Sequence, residues 1–401
     1  MTESSLMAAE ETPDPFPLAR DVPGIGQPAV SVAGAMLIGT NALMILGVQP
    51  LLLGALTEAG RLSVGGLGRL AMVEVLALAL GSAVGSRIMG GSGIRLKTSI
   101  ACALLALADF GTYFAGSPIA LFALRAAAGA VEGLALGATI VILTHTRRPG
   151  RVNGLFLGLQ TIPQMIAAYF LPVVILPKWG ANAGFGLLGA FALASIPGAW
   201  WLENPVRSVS TPAKDPWHRS AAVVIALGAI VVQNAGIGGA WNYIEQVAAE
   251  HRFGSHAIGV AMSASLGAQV AGALFVAWIG WRAPYRMVLM VAIGLQTIIA
   301  VALARPPSAA LYIAEACAFG LLWLALQPFQ IRQLITLDPA RHAALLVTPL
   351  TLAGLSLGPF CVSFAVQPGD VRGAFWVSAG LFASSAVLFE LATRCAQKRS
   401  T

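Results

Sequence analysis

Apolar residues run along this chain in blocks of about twenty, separated by short polar breaks. Read against the ~20 residues that a helix needs to cross a bilayer, the blocks fall at 32–56, 65–89, 98–115, 118–144, 153–175, 182–202, 220–244, 256–279, 287–304, 309–332, 343–366 and 373–394. Continuous runs of this length are not barrel strands, which alternate apolar and polar residues over about ten positions. The pattern predicts an all-α membrane protein of twelve transmembrane helices. Its expected divisions are a cytoplasmic N-terminal tail (1–30), a six-helix bundle (31–202), a linker (203–218), a second six-helix bundle (219–394) and a C-terminal tail (395–401).

Composition strengthens this picture. The 401 residues are 57% hydrophobic and 10% charged, against roughly 25% charged in soluble domains, so a single soluble core could not hide the apolar surface. The net charge of +7 reflects where the basic residues sit rather than affinity for nucleic acid. With the N-terminus inside, 17 of the 24 lysines and arginines fall in cytoplasmic segments and 5 on the other side, leaving Arg69 and Arg125 within spans. This is the positive-inside bias; it predicts an inner-membrane protein with both termini cytoplasmic. Trp179, Trp200, Trp201, Trp217, Trp278 and Trp281 fall at span ends, where an interfacial belt places them. The four cysteines form neither a disulfide framework nor a CxxC zinc motif.

The two halves repeat. "ALFALRAAAGAVEGLALG" (120–137) aligns without gaps on "ALYIAEACAFGLLWLALQ" (310–327), and the fifth span from Arg151 aligns on the eleventh from Arg341, both at an offset of 190. Gly68 and Gly81 match Gly259 and Gly272 at 191. Repeats of this size are a mark of secondary transporters.

Six plus six spans, both ends inside and a basic central loop resemble the major facilitator superfamily, over nearly the whole chain after residue 30. Arg125 and Gly129 fit that family's fourth-span pattern of arginine followed four residues later by glycine. The loop "GSAVGSRIMGGSGIRLK" keeps the glycines, Arg87, Arg95 and Lys97 of the family's second-to-third-span motif but lacks its aspartate. The fifth span has Pro163 but neither the Gly-Pro nor the Gly-Gly pair of the drug–proton antiporters, and the first span has no acidic residue of the aromatic-acid symporter kind. The resemblance implies that helices 1, 4, 7 and 10 line a central cavity, that 2, 5, 8 and 11 form rocking walls, and that 3, 6, 9 and 12 are outer supports.

Ionisable residues in such spans are costly and mark function or a fixed pair. Arg125 and Glu132, seven residues apart, share a face of helix 4 at about 10 Å along the axis, which predicts separate partners. Arg125 is the expected holder of a substrate carboxylate; at the offset of 190 its counterpart is Glu315, which makes the two a candidate gate. Asn234, Trp241 and Glu245 fall on one stripe of helix 7 and suit an aromatic or amphipathic ligand, although Trp241 and Glu245 also fit an interfacial belt. Trp323 and Gln327 in helix 10, Asn41 in helix 1, and Gln160 and Gln164 in helix 5 complete the candidate substrate-binding set. Glu132, Glu315, Glu245 and Glu74 form the candidate proton-coupling and gating set. Asp109, on helix 3, reads as structural, and Arg69 reads as snorkelling.

No P-loop, HExxH or HxxxH motif occurs, and the five histidines sit in loops or at span edges, so neither an ATP-driven pump nor a metalloenzyme is expected. No cofactor or metal is expected. The reading is a monomeric secondary transporter moving a small organic solute, an organic or aromatic anion being favoured, by proton-coupled uptake with lipids and protons as partners. Proton-coupled export of lipophilic compounds is the alternative, and a non-transporting membrane sensor a remote one.

Overall fold

The computed structural model describes residues 26–147, 149–204, 220–279, 284–338 and 342–400. It is helical throughout these segments, with one isolated two-residue bridge between Gln367 and Asp370. Twelve helical passes follow one another: α1 Ala29–Glu58, α2 Val64–Met89, α3 Ile94–Phe114, α4 Pro118–Thr144, α5 (in segments, below), α6 Ala183–Trp200, α7 Ala221–Glu250, α8 Ser255–Ile279, α9 Tyr285–Leu303, α10 (in two segments), α11 and α12 Arg372–Ser400. Among the described residues, ten helices are long and apolar enough to cross a membrane, and the chain is a multi-pass membrane protein. Trp179, Trp200, Trp201 and Trp278 are exposed near helix ends. Residues 205–218 of the expected linker, and Arg20, Arg148, Arg219, Arg282, Arg341 and Trp281, lie outside the described residues, and with them Arg207, Lys214 and Trp217; α12 continues to Ser400.

Local chemistry sets the helix starts and breaks. Ser63, Ser117, Ser220 and Ser308 cap α2, α4, α7 and α10, each side-chain oxygen accepting from a backbone N–H three residues on. Prolines account for the interruptions, because a proline has no N–H for the carbonyl four residues back. Pro163 denies a donor to Leu159, and α5 divides into Pro149–Leu159 and Thr161–Phe170, before a π turn at Leu171–Ile175 and a last turn at Leu176–Trp179. Pro328 does the same to Leu324, and α10 divides into Ala309–Ala325 and Gln327–Leu337. Pro349 does so to Leu345, and α11 begins as a 3-10 turn, Ala343–Leu346, before Val347–Val362.

Helices α1–α6 pack as one bundle and α7–α12 as another. Small residues bring the backbones together, as membrane helices require. A Cβ on Gly129 would strike the Glu74 carbonyl oxygen, and one on Gly81 that of Ala130. In the second bundle a Cβ on Gly320 would strike the Ser265 carbonyl oxygen, and one on Gly272 that of Leu321. These four contacts, and the caps Ser117 and Ser308, are related by an offset of 191, not 190. The repeat position of Arg125 is therefore Ala316. Glu315 lies one residue away, about 100° round the helix, which removes the basis for pairing it with Arg125.

The bundles meet through α2 against α11, α5 against α8, and α1 against α7. Their joining hydrogen bonds lie between the middle and the end where α1 stops, opposite both termini. The Tyr243 hydroxyl donates to the Val64 carbonyl at 2.9 Å and accepts from Gly68 N–H at 3.2 Å. The Tyr169 hydroxyl lies 3.4 Å from His256 Nδ1. Trp241 Nε1 donates to the Leu46 carbonyl at 2.9 Å. Toward the terminal end, Asn153, Gly154 and Leu155 of α5 and Thr348 and Pro349 of α11 are exposed. The bundles are sealed at the far end.

Candidate substrate path and buried ion cluster

Arg125 sits in the interior of the first bundle with no exposed surface. Its Nη1 donates to Asp109 Oδ1 at 2.6 Å, its Nη2 bonds Glu74 Oε1, and Glu132 Oε1 lies 3.7 Å from Nη2. The Phe185 ring of α6 lies 5.0 Å from the guanidinium carbon, within cation–π range. One cation thus gathers carboxyls from α2, α3 and α4, all of them buried. Glu132 Oε1 comes within 3.7 Å of the guanidinium because two long side chains span part of the axial separation of about 10 Å. The ion partners of Arg125 among the described residues are these three carboxyls. Glu315 is half-buried on α10 and one of its carboxyl oxygens has no partner. The expected Arg125–Glu315 gate is not formed, and Asp109, read from sequence as a support, belongs to the cluster.

The cluster is tied to the space between the bundles by Gln49, whose Nε2 donates to Glu74 Oε2 at 2.9 Å. Gln49 also lines a central cavity of about 10 Å³ together with Leu46, Val75, Gly238, Trp241, Asn242, Trp323 and Leu355. Four of the elements that form it, α1, α2, α7 and α11, contact across the bundle interface. The Trp241 and Trp323 rings meet edge to face, 5.4 Å between centroids and 70° between planes. Both are buried, Trp241 to 2% exposure, so Trp241 is not part of an interfacial belt. Asn242 Nδ2 donates to the Gly238 carbonyl at 3.0 Å, and its Oδ1 is buried without a partner.

Glu245 is also buried rather than interfacial, since α7 runs on to Glu250 instead of stopping near residue 244. Its carboxyl accepts from Gln246 Nε2 at 2.9 Å and packs on Gly54 of α1, where a Cβ would displace it. Among the described residues no cation pairs with it.

Of the other sequence candidates, Gln160 and Gln164 join two helices. Gln164 Nε2 donates to the Leu43 carbonyl at 2.7 Å and to Gln160 Oε1 at 2.6 Å, tying α5 to α1. Asn234 Nδ2 donates to the Ile230 carbonyl of its own helix at 2.8 Å, and Asn234 packs on Gly354 of α11. Asn41 is buried with Nδ2 unpartnered. Gln327 is half-buried at the break in α10. An amide chain missed as a unit by sequence reasoning, Gln330 to Gln233 to Gln296 at 3.1 and 3.0 Å, links α10, α7 and α9. Arg69 is exposed and donates to the Gly65 carbonyl at 3.3 Å.

A larger cavity, about 310 Å³, lies at the far rim among Arg305, Gln367, Asp370, Arg372 and Trp376. It stands off the bundle interface. Arg372 beside Asp370, at 2.7 and 2.5 Å, holds that carboxyl down at about 2.

No protein-family model matches the chain, and no curated protein does so. Solved structures do. A mutant of the nucleoside transporter NupG is similar at a TM-score of 0.73 and 13% identity, over 90% of this chain and 99% of that one. A bacterial homologue of the human lysosomal transporter Spinster, inward-facing and unoccupied, is similar at 0.69 and 13%, over 92% and 96%. A D-xylose–proton symporter is similar at 0.68 and 13%, over 90% and 95%. The likeness extends to both bundles and fixes the fold as that of the major facilitators.

Proposed function

We propose that this chain, which has the major facilitator fold, is a secondary transporter that moves a small organic solute across the inner membrane by alternating access coupled to protons. The observation that carries the proposal is Gln49. It lines the cavity between the bundles and bonds Glu74 within the ion cluster. A solute arriving between the bundles can therefore act on buried carboxyls that it does not touch. Three carboxyls share one guanidinium there. Fully ionised, the group would hold two uncompensated negative charges away from water, each costing several kcal/mol, so it is suited to carrying protons.

The seal at the far end and the exposed terminal end support a state open toward the termini. With the basic residues placing both termini in the cytoplasm, that state is inward-facing. The nucleoside and xylose transport named for the structural neighbours extends here only as transport of small organic solutes. The expected preference for anions rested on a free Arg125, and its engagement with three carboxyls withdraws that support. We assign uptake on the fifth span, which lacks the glycine pairs of the antiporters.

The test is flux in proteoliposomes carrying an internal pH indicator, screened with nucleosides, sugars, organic anions and organic cations. A translocated solute acidifies the lumen as it enters; export coupled by antiport gives the opposite sign. Glu132→Gln abolishes the proton signal while solute counterflow continues. Solute movement that is indifferent to a pH gradient refutes the coupling, and no movement of any solute favours the sensor.

A further inference from the structure

We infer that the solute is an organic cation, a protonated amine carried on an aromatic or apolar body, held between Trp241, Trp323 and Asn242. This rests on the transport reading above and names the substrate class of the same path.

The groups that the path presents are electron-rich. Trp241 spends its N–H on the Leu46 carbonyl, which leaves its ring faces for contact. Trp323 meets it edge to face, so the pair offers two differently directed π surfaces, the arrangement that attracts a cation. Asn242 spends its Nδ2 on the Gly238 carbonyl and keeps a buried, unpartnered Oδ1. A buried acceptor without a donor is costly, and an ammonium N–H supplies the donor. Asn242 is 3% exposed and lines the same cavity as both tryptophans.

The surrounding charge has the same sign. Gln49 of the cavity wall reaches Glu74, and Glu74, Asp109 and Glu132 share one cation, Arg125, whose two terminal nitrogens are both engaged. An anionic solute would meet no free cation among these residues and would add to their charge. The cavity, about 10 Å³, has room for about one water. A solute must therefore displace the walls that Trp323, Gln49 and Leu355 form opposite Trp241, which makes binding depend on the separation of the two bundles.

The test uses the purified full chain in nanodiscs with three probes of matched shape: 2-phenylethylammonium, 2-phenylethanol and 3-phenylpropionate. Saturable quenching of tryptophan fluorescence is expected with the ammonium, about tenfold or more tighter than with either other probe. Asn242→Leu should weaken ammonium binding about tenfold, and Asn242→Asp should tighten it by a similar factor. Thermal unfolding of each variant establishes that it is folded, and Asn242→Asp keeps the shape of the site. Equal or tighter binding of phenylpropionate, no binding of any probe, or ammonium affinity unchanged in Asn242→Asp overturns the proposal. Counterflow in proteoliposomes separates the two claims. If phenylpropionate is moved and the ammonium is not, the cation class fails and the transport reading stands. If the ammonium binds but is not moved, the site stands and the transport reading fails.

Discussion

Gln49 Nε2 lies 2.9 Å from Glu74 Oε2, and this single bond joins the wall of the central cavity to the ion cluster of the first bundle. A bond from a neutral amide to a carboxylate contributes more than one between neutral groups, and its geometry changes when α1 moves against α2. Gln49→Leu keeps the size of the side chain and removes the link. Solute counterflow should persist, while the stimulation of flux by an imposed pH gradient falls about tenfold. Proteoliposome flux with and without the gradient measures both quantities. Equal loss of counterflow and stimulation would place Gln49 in solute binding alone.

Arg125 compensates three buried carboxyls at once. Removing one partner of a buried ion pair leaves uncompensated charge and costs about 3–5 kcal/mol. Arg125→Met should therefore lower thermal stability in detergent sharply, before any question of transport arises. Asp109→Asn, which keeps a polar partner at the 2.6 Å contact, should cost much less. The exchange Arg125→Glu with Glu315→Arg should not restore stability or transport, because the two positions are not partners; rescue by that exchange would contradict the ion cluster.

The twelve passes were legible because a bilayer demands about twenty apolar residues, a requirement that sequence states directly. Register was harder to read. Alanine-rich stretches match equally well one residue apart, so the fourth and tenth spans align at 190, whereas the caps Ser117 and Ser308 and the backbone contacts of Gly129 and Gly320 fix 191. That one residue created the expected Arg125–Glu315 pair. Asp109 read as structural from the place of its helix; its pairing with Arg125 was not read, although its depth carried the signal. It stands five residues before the end of α3 and Arg125 eight residues after the Ser117 cap, so both lie about one and a half to two turns from the same membrane face. Glu245 fitted an interfacial belt as well as a coupling site because its apolar window closes early; burial against Gly54 of the other bundle is a property of assembly, which no local window contains.

Asp370 bounds the interpretation of pH profiles. Arg372 holds its carboxyl down from 3.8 to about 2. A carboxyl lowered in the folded state contributes stability that is fully present above its unfolded value and lost as pH falls through the folded one. The contribution of Asp370 to the turn between α11 and α12 should therefore be unchanged from pH 5 to 8 and be lost as pH falls from about 4 through about 2. Asp370→Asn should leave the shape of the transport pH profile between 5 and 8 intact. A profile that moves with this substitution would assign the titration to the rim instead of the buried carboxyls.

Tyr243 binds the far ends of the bundles together, its hydroxyl reaching both the Val64 carbonyl and Gly68 N–H of α2 from α7. These bonds exist only while that end is closed, so they stabilise one state of the two that alternating access requires. Tyr243→Phe removes both and keeps the ring packed. At about 1 kcal/mol for each neutral bond, the balance should shift toward far-end opening by about tenfold or more. The check is a cysteine introduced by Leu355→Cys, at the cavity wall, after the native cysteines have been replaced. A membrane-impermeant maleimide applied from the far side should label it about tenfold faster when Tyr243→Phe is present. Unchanged labelling would mean that the glycine contacts of α2 with α11, where Gly68 meets the Pro359 carbonyl, hold that end closed without help from the hydroxyl.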